Sequence, residues 1–576
     1  MADGMIPSTL YPNVGIGMMA NLIEAVQNFS LQDCRRIIEG NPESVNAAGW
    51  MGFTPLHKAS LRGNPEIVQL LLDNDAKVNA ANNAGELPIH YACKRGNPIV
   101  IHLLVSHGAR LDEVDSLGRG CMHHASQAGS VYAMQYLSHT AGMGFMDKDH
   151  SGLTPLHIVS QFGHFDCLRY LLKNQRTDVG VTDNTGNMPL HLACQNAQAE
   201  VVWVLLQKGT IAHIHQENNT GESPLDIARD GTSYRHGPLA QELAYWGSVK
   251  DQSKSPKGPL FTWYFLLLLP ALTFTSISVV AEMLGSFGGV ISFFSILYFA
   301  FFIGKQMHRI AHISRWANPI FAGAFAGGIL QTSICYFYLV LPAIWPSYFY
   351  LGFSSFLLMV YLYMTVLLKD PGRCTVPRKG PGKDSPYMTI EHVATKELRL
   401  DHYCSYCEMS LPDRTRHCKL CESCMVGMDH HCLFLMKCIA SNNHLKFIYL
   451  IIVTMITQVL FLVSAFEFLR VNHPGVAVTD YFQIVFSQRA WLFTICFVNF
   501  MSIVWGLFLL KTQFEVIAYG YTTVMRPPMH TIKEISFPDK LNNVVSFLLG
   551  RKTQSAEEII ELRTKQSLEM FDVKTV

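Results

Sequence analysis

The residues best equipped for chemistry lie close together. Within 35 positions the sequence reads Cys404-x2-Cys407-x9-His417-Cys418-x2-Cys421-x2-Cys424-x4-Asp429-His430-His431-Cys432-x5-Cys438. This stretch holds seven of the chain's 15 cysteines and three histidines. A lone Cys-x2-Cys pair says little. Two such pairs with a further Cys and several His point to zinc, whose structural sites are tetrahedral and built from thiolate and imidazole. Two closed sites use eight ligands, so the ten candidates leave a pair over. A surplus Cys beside a surplus His and an Asp has the composition of an activated thiol: the imidazole takes the thiol proton and the carboxylate orients the imidazole. The count does not say which Cys and which His remain.

At 576 residues the chain exceeds one hydrophobic core, so several domains are expected around this segment. The net charge of +1 offers no footprint for nucleic acid or a polyacidic substrate. Before the segment, one phrase recurs: Thr54-Pro55-Leu56-His57, Leu87-Pro88-Ile89-His90, Gly120-Cys121-Met122-His123, Thr154-Pro155-Leu156-His157, Met188-Pro189-Leu190-His191 and Ser223-Pro224-Leu225-Asp226. The spacings are 33, 33, 34, 34 and 35 residues, and phrase and period resemble the ankyrin repeat. Thr54 or Ser223 can cap a helix whose first turn holds the following Pro. A second apolar helix follows in each unit, and units that cannot bury their faces alone must stack. Six repeats after a degenerate cap at Leu22–Val45 are expected. The recurring His reads as a buried hydrogen-bonding position, and Cys34, Cys93, Cys121, Cys167 and Cys194 read as small core residues.

Apolar stretches at about 260–280, 284–304, 317–341 and 349–368 precede the cysteine-rich segment, and stretches at about 447–466 and 491–511 follow it. Each is long enough to cross a bilayer as a helix. Basic residues collect after the second stretch (Lys305, Arg309, Arg315) and after the fourth (Lys369, Arg373, Arg378, Lys379, Lys383). By the positive-inside rule the repeats, the cysteine-rich segment and the C-terminus face the cytosol. No basic region followed by an apolar run opens the chain, so no cleaved signal peptide is expected. Cysteines in a reducing compartment favour metal or catalysis over disulfides.

The cysteine-rich segment resembles the Asp-His-His-Cys domain of protein S-acyltransferases. The likeness runs through Leu411-Pro412-Asp413-Arg414-Thr415-Arg416-His417-Cys418 to Asn443 and Phe447, with Asp370-Pro371-Gly372 upstream. Repeats followed by six spans are similar to the subgroup of the yeast ankyrin-repeat acyltransferase and the animal huntingtin-interacting palmitoyltransferase. The resemblance implies one structural zinc on Cys404, Cys407, His417 and Cys424, and a second on Cys418, Cys421, His431 and Cys438. It implies Cys432 as nucleophile, His430 as base and Asp429 as its orienter. A fatty acyl group such as palmitoyl would pass from acyl-CoA to Cys432 as a thioester, then to a cysteine of a protein substrate held partly by the repeats. The subgroup points to Golgi or vesicle membranes. Three positions depart from the family: Leu433-Phe434 stand for Pro-Trp, Leu411 for a basic residue, and Met525 for the Glu of a Thr-Thr-x-Glu motif.

The expected architecture is thus all-α: an N-terminal tail (1–20), an ankyrin solenoid (21–245), a linker (246–258), four transmembrane helices (259–368), a cytosolic zinc-binding insertion (369–446), two further helices (447–511) and a cytosolic tail (512–576). Two rivals remain open at this level. One is a membrane-anchored ankyrin scaffold that kept zinc and lost chemistry. The other is an ankyrin-bearing six-span channel, which leaves the cysteine cluster unexplained and finds no Gly-rich filter within 468–490.

Overall fold

The computed structural model describes residues 16–560 apart from 174–175, 257–259, 285, 306–316, 347–348, 375–389, 396–402, 413, 528–530, 533, 552 and 556. Of the basic residues used for orientation, Arg309, Arg315, Arg378, Lys379 and Lys383 lie outside the described residues, as does Asp413. The chain divides into two compact units: Met1–Lys257 with Pro377–Leu411, and Gly258–Val376 with Pro412–Val576.

In the first unit each recurring phrase opens a helix: Pro55–Arg62, Pro88–Arg95, Cys121–Ala128, Pro155–Phe162, Pro189–Gln195 and Pro224–Asp230. The left-handed Gly63 (φ 75°) ends the first of them, and Pro65–Asp73 follows, burying Ile67, Val68, Leu71 and Leu72. The recurring histidines are the ties between units. His57 Nδ1 accepts the Thr54 N–H at 3.1 Å, so Nε2 carries the proton and donates to the Glu86 carbonyl at 3.0 Å. His90, His123, His157 and His191 repeat this toward the carbonyls of Glu113, Leu153, Asn187 and Gln216. With one ring nitrogen accepting and the other donating, no lone pair is left for a metal. The five cysteines expected in the core are buried.

Glu86, Asp115 and His124 also meet, buried, at a spacing a cation could use. Lys94 lies 2.7 Å from Glu86 and Arg119 lies 2.9 Å from Asp115. Two cations already answer the two carboxylates, so the group is an ionic network between repeats rather than a metal centre.

The same unit includes a short hairpin, β1 (Tyr403–Cys404) with β2 (Met409–Ser410). Glu408 in its turn meets Lys173 Nζ at 2.8 Å, Arg176 Nη2 at 3.1 Å and His139 Nε2 at 3.3 Å. Gln135 Nε2 donates to the Ser405 carbonyl at 2.7 Å. The hairpin therefore packs against helix Val131–His139 and the segment that follows helix Phe165–Leu172.

The second unit holds the apolar helices, labelled α1 (Leu260–Leu284), α2 (Ser286–Lys305), α3 (Ile320–Ile344), α4 (Phe349–Leu368), α5 (His444–Asn472) and α6 (Ala490–Ala518). Among the described residues five are long and apolar enough to cross a membrane, namely α1, α3, α4, α5 and α6. The helix α2 coincides with the expected second span but is not one of the five, so a count of six spans is not established. Helices α5 and α6, at 29 residues each, outrun the apolar stretches that announce them. Within α3 the segment Cys335–Val340 widens to a π turn ahead of Pro342, which has no N–H to continue the α pattern. Gly327 lets α3 approach α1 closely: a Cβ there would lie 3.1 Å from Ala271 Cα. Between α5 and α6 lies a helix, Val478–Gln488.

Candidate active site and metal centres

Three consecutive hairpins carry the cysteine-rich segment. After β1–β2 come β3 (Thr415–Cys418) with β4 (Ser423–Val426), and β5 (His430–Cys432) with β6 (Lys437–Ile439). Their geometry repeats. Cys404 pairs with Met409, Cys418 with Ser423 and Cys432 with Lys437. The turns place Glu408, Glu422 and Met436 in the left-handed region at φ 56°, 51° and 50°. Both sets of equivalent positions advance by 14 residues.

In the first two hairpins the turn is a metal knuckle. The N–H of Cys407 points at Cys404 Sγ and that of Cys421 at Cys418 Sγ, each at 3.4 Å. In the third, Cys432 takes the place of Cys404 and Cys418, but Leu435 stands where Cys407 and Cys421 stand. The third turn thus carries one sulfur, that of Cys432, where each of the first two carries a pair.

The zinc sets follow the same period. Set two lies wholly in the second unit: Cys418 and Cys421 from one knuckle, His431 and Cys438 as cross-strand partners in the next hairpin. Their ligand atoms surround a common centre. His431 Nδ1 lies 3.6 Å from Cys418 Sγ, 3.4 Å from Cys421 Sγ and 3.6 Å from Cys438 Sγ, and the Cys421 and Cys438 sulfurs are 3.5 Å apart. Zinc bonds of ~2.0–2.3 Å make tetrahedron edges of roughly 3.4–3.8 Å, so the donors fit. Of set one, Cys404 and Cys407 lie in the first unit, while His417 and Cys424 are cross-strand partners in the second. Set two is thus a Cys3His group with the donor chemistry of structural zinc.

The proposed triad is assembled by β5 and the start of α5. His430 Nδ1 lies 2.7 Å from Asp429 Oδ2, and its ring meets Phe447 edge to face at 5.4 Å. Asp429 is fully buried. Its carboxylate accepts from Thr523 N–H at 2.8 Å, Thr523 Oγ1 at 3.0 Å and Gln513 Nε2 at 3.0 Å. Burial would push the His430 ring down, but Asp429 and Cys432 outweigh it and lift His430 to about 9. Burial opposes the charge on Asp429 too; the hydrogen bond to His430 and its other partners hold it well below the usual carboxylate range. Asn443 ties α5 to the metal hairpin by donating to the Cys438 carbonyl at 3.0 Å.

The sequence reading did not assign Gln513, His444 or Thr523 a role. A glutamine inside an apolar helix was the available signal, because polar groups there are costly unless partnered. Val524 of the Thr522–Met525 segment donates its N–H to the Asp429 carbonyl at 3.2 Å.

Cys432 is buried with Met359, Val366, Leu435, Phe447 and Ile448. Two residues on, Phe434 forms part of the wall of an apolar cavity of about 490 Å³ between the membrane helices, with Phe274, Leu297, Phe325, Phe337 and Trp505. Phe434 also packs edge to face on Phe321 at 5.8 Å.

Residues 398–526 match the family model described as DHHC palmitoyltransferase. Residues 22–115, 100–183 and 122–218 match the model of ankyrin repeats in three copies. Two solved structures are similar. The human ASB11 ankyrin repeat domain is 25% identical over 41% of this chain and 99% of that one, with a TM-score of 0.35. The ankyrin repeat domain of Bcl-3, a member of the IkappaB family, is 23% identical over 38% and 97%, with a TM-score of 0.30. The curated proteins give no match.

Proposed function

We propose that this chain, a membrane protein with a DHHC palmitoyltransferase domain and ankyrin repeats, is a protein-cysteine S-palmitoyltransferase that works through a Cys432 thioester. One observation carries the reading: the Asp429–His430 pair at 2.7 Å, next to a knuckle thiol without a second sulfur, beside an apolar cavity. Asp429 and Cys432 both favour the protonated ring, so His430 is placed to hold the proton that the reacting thiol gives up.

The thiolate attacks the carbonyl carbon of a fatty acyl-CoA. The C–S bond to coenzyme A breaks, and the leaving thiolate takes the proton from His430. In the second step His430 removes the proton from a substrate cysteine, whose sulfur attacks the Cys432 thioester and releases the enzyme thiolate. The fatty chain lies in the cavity, gaining about 0.8 kcal/mol for each buried CH₂. Its volume falls within the ~300–1,000 Å³ of small-molecule sites.

Cys418, Cys421, His431 and Cys438 would hold one zinc ion, and Cys404, Cys407, His417 and Cys424 a second. With four protein ligands each, such sites would brace the hairpins and leave no position for a reacting water. The repeats recruit protein substrates. The repeats, hairpins and C-terminal tail face the cytosol, and by family resemblance the membrane is that of the Golgi or of vesicles.

Met525 in place of the family's Glu favours one rival, an ankyrin scaffold without chemistry. Labelled palmitoyl-CoA separates the two. Hydroxylamine-sensitive label on wild type and none on Cys432→Ser supports transfer; no label on wild type, or equal label on both, defeats it.

A further inference from the structure

The carboxylate that orients His430 is itself held from two membrane helices. Gln513, on α6, and His444, the first residue of α5, are both buried. Gln513 Nε2 donates to Asp429 Oδ2 at 3.0 Å and to Thr523 Oγ1 at 3.2 Å. An ionised carboxylate only accepts, so the amide has one sensible orientation. Its NH₂ faces Asp429 and its oxygen faces His444, whose Nε2 lies 2.8 Å away and must donate. A buried amide and imidazole cost free energy unless their hydrogen bonds are met. Here each meets the other, and the chain of bonds ends on the triad.

We propose that Gln513 and His444 are positioning residues for acyl transfer. They fix the plane of the Asp429 carboxylate, and through it the ring of His430, so the geometry around Cys432 depends on the spacing of α5 and α6. The proposal rests on the acyl-transfer reading above. The same helices line the cavity, α5 through Thr454, Thr457 and Phe461 and α6 through Asn499, Ser502 and Trp505. The bridge therefore links the helices that hold the fatty chain to the groups that move its thioester.

Gln513→Leu keeps the bulk and removes all three side-chain hydrogen bonds. Its self-acylation rate at saturating palmitoyl-CoA is expected to fall by about tenfold or more, the scale of a misaligned general base. The KM for palmitoyl-CoA and the zinc content stay at wild-type values. His444→Gln, which keeps an N–H for the bridge, loses less than His444→Phe. A second measurement needs no acyl-CoA: alkylation of Cys432 by iodoacetamide, resolved by mass spectrometry, slows in parallel. Wild-type rates of acylation and alkylation in Gln513→Leu overturn the proposal. So does a loss of rate that comes with loss of zinc, or one equal in His444→Gln and His444→Phe. If wild type takes no acyl group yet Gln513→Leu slows alkylation, the acyl-transfer reading falls and the positioning role stands.

Discussion

Lys173, at the end of an ankyrin helix, reaches Glu408 in the turn of the first cysteine hairpin at 2.8 Å, and Arg176 joins it at 3.1 Å. Glu408 is mostly buried. Burial alone would raise its carboxyl, yet His139, Lys173 and Arg176 together draw it down to about 2. The ankyrin repeats thus brace the loop that carries Cys404 and Cys407. Glu408→Lys places a further cation beside Lys173 and Arg176 and is expected to destabilise the hairpin by about 3 kcal/mol, the scale of a broken buried ion pair. Combining it with Lys173→Glu and Arg176→Glu restores part of the loss. Hydrogen exchange across 403–410 measures both, and additive losses in the triple variant would contradict the contact.

The metal assignment predicts a division among cysteines. Cys421→Ser or Cys404→Ser lowers the zinc bound per chain from about two ions toward one, since each removes a ligand from a four-ligand site. Cys432→Ser leaves the content unchanged. Zinc loss in Cys432→Ser would show that the surplus thiol is another cysteine.

Leu435 keeps Cys432 out of a knuckle. Leu435→Cys supplies the missing second sulfur at the spacing of Cys404-x2-Cys407 and Cys418-x2-Cys421. The new pair is expected to capture metal or oxidise, and to cut self-acylation by about tenfold or more, because a ligated or oxidised sulfur is no nucleophile. Added reductant then recovers the oxidised fraction. Unaltered acylation would mean that the third turn does not copy the first two.

Gly328 lines the cavity, and a Cβ there meets nothing within 4 Å. Gly328→Phe is therefore expected to fold normally and shorten the space for a fatty chain. Preference shifts from palmitoyl-CoA toward shorter acyl-CoAs, each CH₂ denied burial costing about 0.8 kcal/mol. An unchanged chain-length profile in a competition assay would place the chain elsewhere.

Acid should loosen the repeats before neutral pH does. Burial resists the charge on Glu86, but Lys94, Tyr91 and Asn82 hold it at about 2, below its ordinary 4.5. Its contribution is present above 4.5 and is lost as pH falls toward 2. Burial also pushes His124 down to about 4 from 6.5. Between these values the unfolded chain binds the proton and the folded one does not, so stability falls there too as pH drops. Lys94→Met lets Glu86 titrate nearer its ordinary value and reduces the loss below pH 4.5, a difference of up to about 3 kcal/mol. Proteolysis of residues 80–125 in the full chain across pH 7 to 3 reads the effect.

Much of this was legible in one dimension. The phrase ending in His57, His90, His123, His157 and His191 marks the repeats, because stacking needs the same capping and tying group in every unit. Apolar runs mark the membrane helices, because a bilayer demands length and composition and little else. Ten candidate ligands in 35 positions are enough for two four-ligand zinc sites and a surplus pair. The 14-residue period was also present in the sequence, but it reads as a pattern only once the hairpins show that Cys404, Cys418 and Cys432 occupy one geometric position. Tertiary structure alone decided the rest. That Asp429 rests on Gln513 and Thr523, and that Glu408 docks on the repeats, are contacts between residues dozens to hundreds of positions apart. Composition and spacing report what a segment can do locally. Which buried polar group finds which partner depends on how elements pack, and that information is absent from any single stretch of chain.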